Sequence, residues 1–385
     1  MKFFLARILS LLLASFLTNS VSAQSPSTKR SPGAVKAKPE AMLVQPLLDP
    51  ESVPMVKPLE NNVAMLNKAQ GSDAVRLQIF LDQSNFGPGV IDGKPGLFTE
   101  NAVKVWNEVN GHPLDDWTAV MAAAKKSVIE PIVAATVPDI VGKWVNPRLT
   151  NDRILQSKEK RLGYRSVAEL MAERYHTDIE YLLEINTAKK IDGLKVGSEI
   201  LVPNVKPFEI EAITGVQHKR DEIKAQRHVV VDTKHNQLRI FEAAPVALEI
   251  KENPDETAVA PARPAANRSL IASFPITPGK PRFIHYGMWE MRTQVEFPYW
   301  SYDKLLLETG KRNPDKSHIY QLPAGPNCPV GVIWCGLSKS GIGLHGTSDP
   351  ETIGRAQSAG CIRLSNWDAI RLPTLISPGS SVEIR

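Results

Sequence analysis

The stretch HVVVDTKHNQLRIFE, residues 228–242, is rich in β-branched and aromatic side chains on both sides of a polar turn. This pattern predicts two strands joined by a turn at residues 234–237. Three further strand-like runs follow, at residues 270–277, 330–337 and 381–385. Residues 243–268 are rich in Pro, Ala and Glu and have the composition of an inserted loop. We therefore predict a mainly β domain over residues 226–385.

Residues 71–125 have the pattern of a small helical domain. One helix is predicted over residues 74–85, and a second helix from the N-cap Thr99 to Asn110-Gly111. The glycine-rich sequence FGPGVIDGKPGLFT joins them. This arrangement resembles the helical peptidoglycan-binding domain that accompanies cell-wall enzymes. An ordinary helical hairpin is the alternative.

Residues 158–205 have the pattern of a second small unit, of the α+β type. Capping boxes begin at Ser166 and Thr177, each followed by a short helix, and residues 199–202 form a short strand. The order of elements resembles a LysM domain, a glycan-binding module. The usual Gly-Asp-Thr before the first helix is absent, and no first strand is evident. Two alternatives stay open: a sugar-binding unit, or a unit that is similar in structure only.

The first 23 residues have the features of a secretory signal peptide. Lys2 and Arg7 accompany an apolar run, and Val21-Ser22-Ala23 is a small-residue cleavage signal. An uncleaved N-terminal anchor is the alternative. No later apolar stretch reaches about 18 residues, so we expect no stable membrane span after cleavage. The signal predicts export to the periplasm or cell wall, with residues 24–70 as leader and linker.

Composition and charge narrow the classes of protein that fit. The 385 residues predict two or three domains, and 42% hydrophobic and 23% charged residues are typical of globular proteins. The formal charge of +5 falls to +3 without Lys2 and Arg7. That excess is too small to indicate a nucleic-acid partner.

The chain has three cysteines, Cys328, Cys335 and Cys361. If two of them form a disulfide, the third remains a thiol. Either Cys328 pairs with Cys335, or all three remain thiols. The seven-residue spacing requires the chain to double back, so we favour three thiols with Cys361 the most reactive. There is no CxxC motif and the histidines are scattered, so we predict no metal and no cofactor.

The segment LHGTSDPETIGRAQSAGCIRLSNWD, residues 344–368, combines the chemistry of a nucleophile and a base. Cys361 needs a neighbouring base or positive charge to become a thiolate, and His345 is expected to supply both from a separate loop. Gly346 would allow a tight turn beside His345, and Gly360 an unusual backbone angle. The N–H groups of Gly360 and Cys361 are candidate oxyanion donors. The alternative is a structural cysteine with a core histidine.

The sequence IGLHGTSDPETIGRAQSAGCIRLSNWDAIRL, residues 342–372, resembles the signature of the L,D-transpeptidases, the YkuD-type cell-wall cross-linking enzymes. The upstream residues 322–337 resemble the family's approach to its active site. The resemblance implies a YkuD-like β-sandwich, with Cys361 as nucleophile and His345 as general base. Many members have histidine before Gly-Cys where this chain has Ala359, so any role of a second histidine is in doubt.

The resemblance also implies the substrate and the residues that contact it. The donor is a peptidoglycan stem tetrapeptide, cleaved after its third residue with release of D-alanine. The acceptor is an amine of a second stem, giving a 3→3 cross-link, or an envelope lipoprotein; some relatives hydrolyse such bonds instead. The implied substrate-binding residues are Ser358, Gly346, Thr347 and Arg363. A guanidinium suits a substrate carboxylate, although a structural salt bridge fits Arg363 equally well.

Three other classes of protein compete with this interpretation. A non-catalytic peptidoglycan-binding envelope protein would not require the intact pair of His345 and Cys361. A papain-type hydrolase would have its cysteine early in the chain and its histidine downstream, the reverse of the order found. A metal hydrolase would require ligand spacing that the sequence lacks.

Overall fold

A computed structural model of the chain describes residues 71–242, 269–279, 283–309, 312–355 and 360–385. The predicted signal peptide and leader, the loop at 243–268 and Ser358 lie outside these ranges. Within the described ranges, no helix has the length and apolar character needed to cross a membrane.

The first module contains three helices: α1 (Ser72–Gln83), α2 (Leu97–Asn110) and α3 (Trp117–Ser127). The predicted N-cap Thr99 is wrong, because α2 begins after Gly96 and Thr99 is buried in its first turn. The end of α2 is confirmed: Gly111 takes the left-handed conformation, with a φ of 71°, that ends many helices. The apolar side chains between the helices include Ala74, Leu77, Leu81, Ala102, Val103 and Val120.

The second module places short helices between two antiparallel strands. The helices are α4 (Val141–Trp144), α5 (Arg153–Gln156), α6 (Val167–Arg174), α7 (Ile179–Ile185) and α8 (Ala188–Asp192). Strand β1 (Ile132–Thr136) pairs with β2 (Glu199–Pro203) along its whole length. β1 is the strand that the sequence does not reveal, and it lies upstream of the predicted boundary at residue 158.

The two predicted capping boxes both lie at helix starts, but only one has the predicted cap. Ser166 Oγ accepts the Glu169 N–H at 3.0 Å, which confirms the cap of α6. The cap of α7 is Asp178, one residue after the predicted Thr177. The Thr177 hydroxyl instead donates to the carbonyl of Ile91 at 2.7 Å, so it joins the second module to the first.

The C-terminal domain is mainly β, as predicted. Its strands are β3 (His228–Asp232), β4 (Gln237–Phe241), β5 (Leu270–Pro275), β6 (Gly287–Glu296), β7 (Trp300–Asp303), β8 (Ile319–Leu322), β9 (Ile333–Leu337), β10 (Gly343–His345), β11 (Ile362–Arg363) and β12 (Ser381–Ile384). Its helices are α9 (Lys304–Thr309), α10 (Asn366–Ala369) and α11 (Leu372–Leu375). The predicted strands correspond to β3, β4, β5, β9 and β12.

Eight of these strands form one sheet, in the order β11-β10-β9-β6-β12-β3-β4-β5. The long strand β6 joins its two halves: residues 287–290 pair with β12, and residues 291–296 pair with β9. The mainly β architecture predicted for this domain is thus a single curled sheet. β7 and β8 form a separate hairpin.

The second module is joined to the C-terminal domain by backbone as well as side-chain contacts. The Leu162 N–H donates to the Ala324 carbonyl, and the Asn327 N–H donates to the Leu162 carbonyl, both at 3.0 Å. A Cβ on Gly325 would lie 2.2 Å from the Leu162 carbonyl oxygen, so only glycine permits this approach. The second module and the C-terminal domain therefore share an interior.

Candidate active site

Strand register brings the predicted catalytic residues onto one face of the sheet. In the parallel pair β10·β11, His345 lies opposite Arg363, and in the antiparallel pair β9·β10 it lies opposite Trp334. Cys361 directly precedes β11 and belongs to the same buried cluster as Trp334, the residue on which the His345 ring stacks, so Cys361 and His345 lie on the same face of the sheet. His345 is the last residue of β10 and not part of a loop, so its position is fixed by the sheet.

The His345 imidazole is fully buried and held in one tautomer. Its Nδ1 lies 2.6 Å from the Gly346 carbonyl oxygen. A carbonyl can only accept, so Nδ1 carries the hydrogen and Nε2 carries the lone pair. Nε2 is buried and has no hydrogen-bond partner among the described residues. The ring stacks on Trp334, with 5.6 Å between ring centroids.

Burial, together with the positive charge of Arg363, lowers the pKa of His345 from 6.5 to about 3 against the opposing hydrogen bond to Gly346. The imidazole is therefore neutral at physiological pH. This state favours the role of base over that of a resting imidazolium partner for the thiolate.

Cys361 is also buried, with 3% of its surface exposed. Its Sγ donates to the Gly341 carbonyl at 3.4 Å, so the sulfur is a thiol in this state. Cys361 belongs to a cluster of buried apolar side chains whose other members come from the second module, the β7–β8 hairpin, the approach to β9 and β9 itself: Leu149, Leu162, Trp300, Leu322, Cys328, Val330 and Trp334. We call these seven residues the thiol cover.

Different physical constraints require glycine at Gly360 and at Gly346. Gly360 has a φ of 118°, which confirms the unusual backbone angle predicted before Cys361. Gly346 is not among the positive-φ residues, so a left-handed angle is not what requires glycine there. A Cβ on Gly346 would instead lie 2.1 Å from Oδ1 of Asn366, and a Cβ on Gly331 would lie 2.2 Å from the same atom. Asn366 is thus a site residue that sequence reasoning missed, although it lies in the 344–368 segment.

The predicted substrate-binding residues are only partly brought together. Thr347 is buried, and its hydroxyl accepts the Asp349 N–H at 3.3 Å. Arg363 is 2% exposed and lies beside the imidazole. Ser358 lies outside the described residues, so its position relative to the others stays a prediction.

All three cysteines are buried thiols, as favoured from the sequence. Burial raises the pKa of Cys335 to about 12, so this thiol is unreactive. Over the described ranges, no group of three or more His, Cys, Asp or Glu residues could hold a metal ion.

The sequence of the C-terminal domain matches a known family. Residues 262–384, about a third of the chain, match the family model for the YkuD L,D-transpeptidase catalytic domain, which confirms the predicted catalytic domain. The match does not extend to the first two modules.

Individual relatives are similar over shorter stretches. YkuD of Bacillus subtilis is 42% identical over 67 residues, which are 17% of this chain and 41% of the relative. YqjB of the same organism is 36% identical over 103 residues, 26% of this chain and 49% of the relative. The chain thus spans less than half the length of these relatives.

Solved structures of similar shape include two L,D-transpeptidases. L,D-transpeptidase 3 of Mycobacterium tuberculosis is 15% identical and covers 50% of this chain and 76% of its own, with a TM-score of 0.28. The Enterococcus faecium enzyme is 14% identical and covers 42% of this chain and 50% of its own, with a TM-score of 0.26. Such scores are too low to support an argument, so the assignment of the domain rests on the family model.

Proposed function

We propose that this protein is an exported L,D-transpeptidase that acts on peptidoglycan in the periplasm or cell wall. The observation that carries the proposal is the fixed tautomer of His345: its Nε2 carries the lone pair, and its ring stacks on Trp334, which lies in the same buried cluster as Cys361. This arrangement occurs inside the segment that matches the catalytic-domain model.

The proposed reaction uses these two residues for every proton transfer. His345 Nε2 takes the Cys361 thiol proton, and Sγ forms a bond to the carbonyl carbon of the third stem residue. The amide bond to the terminal D-alanine then breaks, and the departing amine takes the proton from His345. An acceptor amine attacks the thioester, passes its proton to His345, and Cys361 recovers it as it leaves. The N–H groups of Gly360 and Cys361 are the proposed donors to the oxyanion.

Arg363 gives substrate binding a way to activate the base. Its charge is one cause of the low pKa of His345. A substrate carboxylate paired with the guanidinium would offset that charge and raise the basicity of the imidazole. We therefore place Arg363, with Ser358, Gly346 and Thr347, on the substrate side of the site.

The first two modules are proposed to bind peptidoglycan. The first module has the helices and the glycine-rich loop of the predicted peptidoglycan-binding domain. The second has two antiparallel strands with helices between them, an arrangement similar to the predicted LysM-like unit. Binding to glycan strands would raise the local concentration of stem peptides.

The test is mass spectrometry of muropeptides after incubation of residues 24–385 with disaccharide-tetrapeptide. The expected product is a 3→3 dimer together with free D-alanine, and Cys361→Ala should form neither. Release of D-alanine without dimers would indicate a hydrolase. Dimers formed by Cys361→Ala, or no turnover by the wild-type protein with either stem-peptide or lipoprotein amines, would contradict the proposal.

A further inference from the structure

One buried carboxyl group near the active site belongs to neither the catalytic strands nor the matched family segment. Glu173 lies in α6 of the second module and is 5% exposed. Its Oε2 lies 2.6 Å from the Tyr164 hydroxyl oxygen, and its Oε1 accepts from Nδ2 of Asn366 at 2.8 Å. Burying a carboxyl group is costly, so its use at this position calls for a compensating role.

Asn366 is the partner through which Glu173 reaches the catalytic domain. Its Oδ1 accepts the Val332 N–H at 3.1 Å, and its Nδ2 also donates to the Thr347 carbonyl at 2.9 Å. The two ends of an amide group differ only in being acceptor and donor, so its partners decide which way it faces. The carboxyl group of Glu173 and the carbonyls of Thr347 and Pro326 all accept from Nδ2. Together they keep Oδ1 turned toward Val332 and Gly346.

The orientation of Asn366 bears directly on His345. Oδ1 packs against Gly346, whose carbonyl accepts the Nδ1 hydrogen of His345. Nδ2 holds the next carbonyl along the chain, that of Thr347. If the amide turned over, its NH2 group would face the Val332 N–H, and two donors would oppose each other. The backbone that fixes the imidazole tautomer would then have to move.

We propose that Glu173 is a positioning residue for His345, acting through Asn366, so that the second module completes the active site of the catalytic domain. The inference rests on the proposed role of His345 as the base for Cys361. Burial raises the pKa of Glu173 to about 8, so the group carries a proton at physiological pH; Oε2 then donates to the Tyr164 oxygen, and Oε1 still accepts from Asn366. A glutamine side chain has the same shape and the same capacity to accept from Asn366.

The experiment measures alkylation of Cys361 by iodoacetamide in the full chain, with the modified residue identified by mass spectrometry. Alkylation forms an S–C bond, expels iodide and passes the thiol proton to His345, so its rate reports on the pair without any peptidoglycan. Glu173→Leu should slow it by up to about 10²-fold, because small displacements of catalytic groups have effects of that size. Glu173→Gln should restore the rate to within a few-fold of wild type.

A control comes from the ion pair at the end of the same helix. Glu211 lies outside α6, pairs with Arg174 at the end of α6 at 2.9 Å, and has no bond to Asn366. Glu211→Leu removes a carboxylate contact of α6 without touching Asn366 and should leave the alkylation rate unchanged. With tetrapeptide as substrate, Glu173→Leu should lower kcat and leave KM unchanged, because Glu173 does not contact the substrate.

Two results would overturn the proposal: wild-type alkylation in Glu173→Leu, or equally slow alkylation in Glu173→Leu and Glu173→Gln. If Glu173→Leu does not fold, Tyr164→Phe removes one of the two bonds to Glu173 and should slow alkylation several-fold; an unchanged rate would then decide against the role. If the wild-type chain is alkylated at Cys361 but makes no muropeptide product, the proposed function is contradicted. The inference about Glu173 is not contradicted by that result.

Discussion

At the scale of single residues, the state of His345 sets the chemistry available to Cys361. A neutral, buried imidazole with a fixed tautomer is a base that is ready to accept a proton, but it does not hold a thiolate in the resting state. The thiol at 3.4 Å from the Gly341 carbonyl is consistent with that state. Proton transfer must therefore accompany attack on the substrate.

The first prediction concerns the pH dependence of the Cys361 reaction. The pKa of His345 lies near 3, so the alkylation rate should show no step from imidazole ionisation between about pH 5 and 8, where an ordinary histidine titrates. His345→Ala should slow alkylation by about 10²–10⁴-fold, the usual effect of losing a general base. A step near pH 6.5 in the wild type that disappears in His345→Ala would show that the imidazole titrates normally.

The second prediction follows from the raised pKa of Glu173. The folded chain keeps a proton that the unfolded chain loses above about pH 4.5, so this group stabilises the fold fully below that pH. Its contribution is lost as the pH rises through about 8. Relative to Glu173→Gln, the wild type should therefore lose free energy of unfolding between about pH 5 and 9, on the order of a few kcal/mol.

Urea unfolding of both proteins across this range measures the difference. The groups that face Glu173 are Tyr164, Asn366, Glu169 and Glu351. They are the same in both proteins, so parallel curves for the wild type and the variant would show that Glu173 has an ordinary pKa.

At the scale of structural elements, a buried charged cluster joins α1 of the first module to the start of α11. Arg371 donates from Nη2 to the Asp82 carboxylate at 2.7 Å and from Nη1 to the Asp82 carbonyl at 2.9 Å. His176, at 3.1 Å from Asp82, stacks on Trp367 with 5.5 Å between ring centroids. Burial alone would raise the pKa of Asp82, but the charge of Arg371 and the contacts with His176 hold it well below its usual range.

The third prediction is that Asp82→Ala destabilises the protein by about 3–5 kcal/mol, because it leaves the partly buried Arg371 charge with only the more distant Asp368 carboxylate, at 3.7 Å. The matched control is Glu184→Ala, which breaks an exposed ion pair with Lys94 and should cost about 1 kcal/mol or less. Chemical denaturation compares the two. Equal costs would show that the Asp82 cluster contributes no more than a surface pair.

The same elements show what the sequence reveals and what it does not. β4 is visible because buried and partly exposed residues alternate along it, whereas β3 is visible as a run of β-branched residues that is buried on both faces. β10 and β11 have three and two residues, too few for any period to be visible. β1 is missed because its partner β2 lies more than sixty residues away, and pairing of that kind leaves no local signal.

The active site, too, could be predicted from the sequence only in part. Cys361 and His345 follow from residue type and motif, whereas Asn366 depends on contacts that only folding creates. Gly331 and Gly346 are separated in the sequence, but a side chain at either position would collide with Oδ1 of Asn366. No pattern in the sequence connects them with Glu173.

At the scale of the whole molecule, the first two modules have a structural role beside their proposed binding to peptidoglycan. The second module supplies Leu149 and Leu162 to the thiol cover and Glu173 to Asn366. The first module supplies Asp82 to Arg371. The catalytic domain on its own would expose apolar surface and leave Arg371 without the Asp82 carboxylate.

The fourth prediction is that residues 206–385 alone do not form an active domain. The expected results are low soluble yield, loss of the cooperative unfolding transition and loss of selective alkylation at Cys361. A chain lacking only residues 24–70, the predicted leader, is the control and should retain all three properties. Normal tetrapeptide turnover by residues 206–385 would establish that the accessory modules serve only for tethering.

The backbone contact between Leu162 and Gly325 has a consequence for how such a protein changes over evolutionary time. Gene recombination commonly exchanges domains as intact cassettes, and this works when each cassette has a complete interior of its own. Here a replacement for residues 131–205 would have to provide an equivalent of Glu173, a carbonyl against Gly325 and apolar side chains over Cys361. The boundary between these modules is therefore a poor crossover point, and the segments on either side are expected to be inherited together.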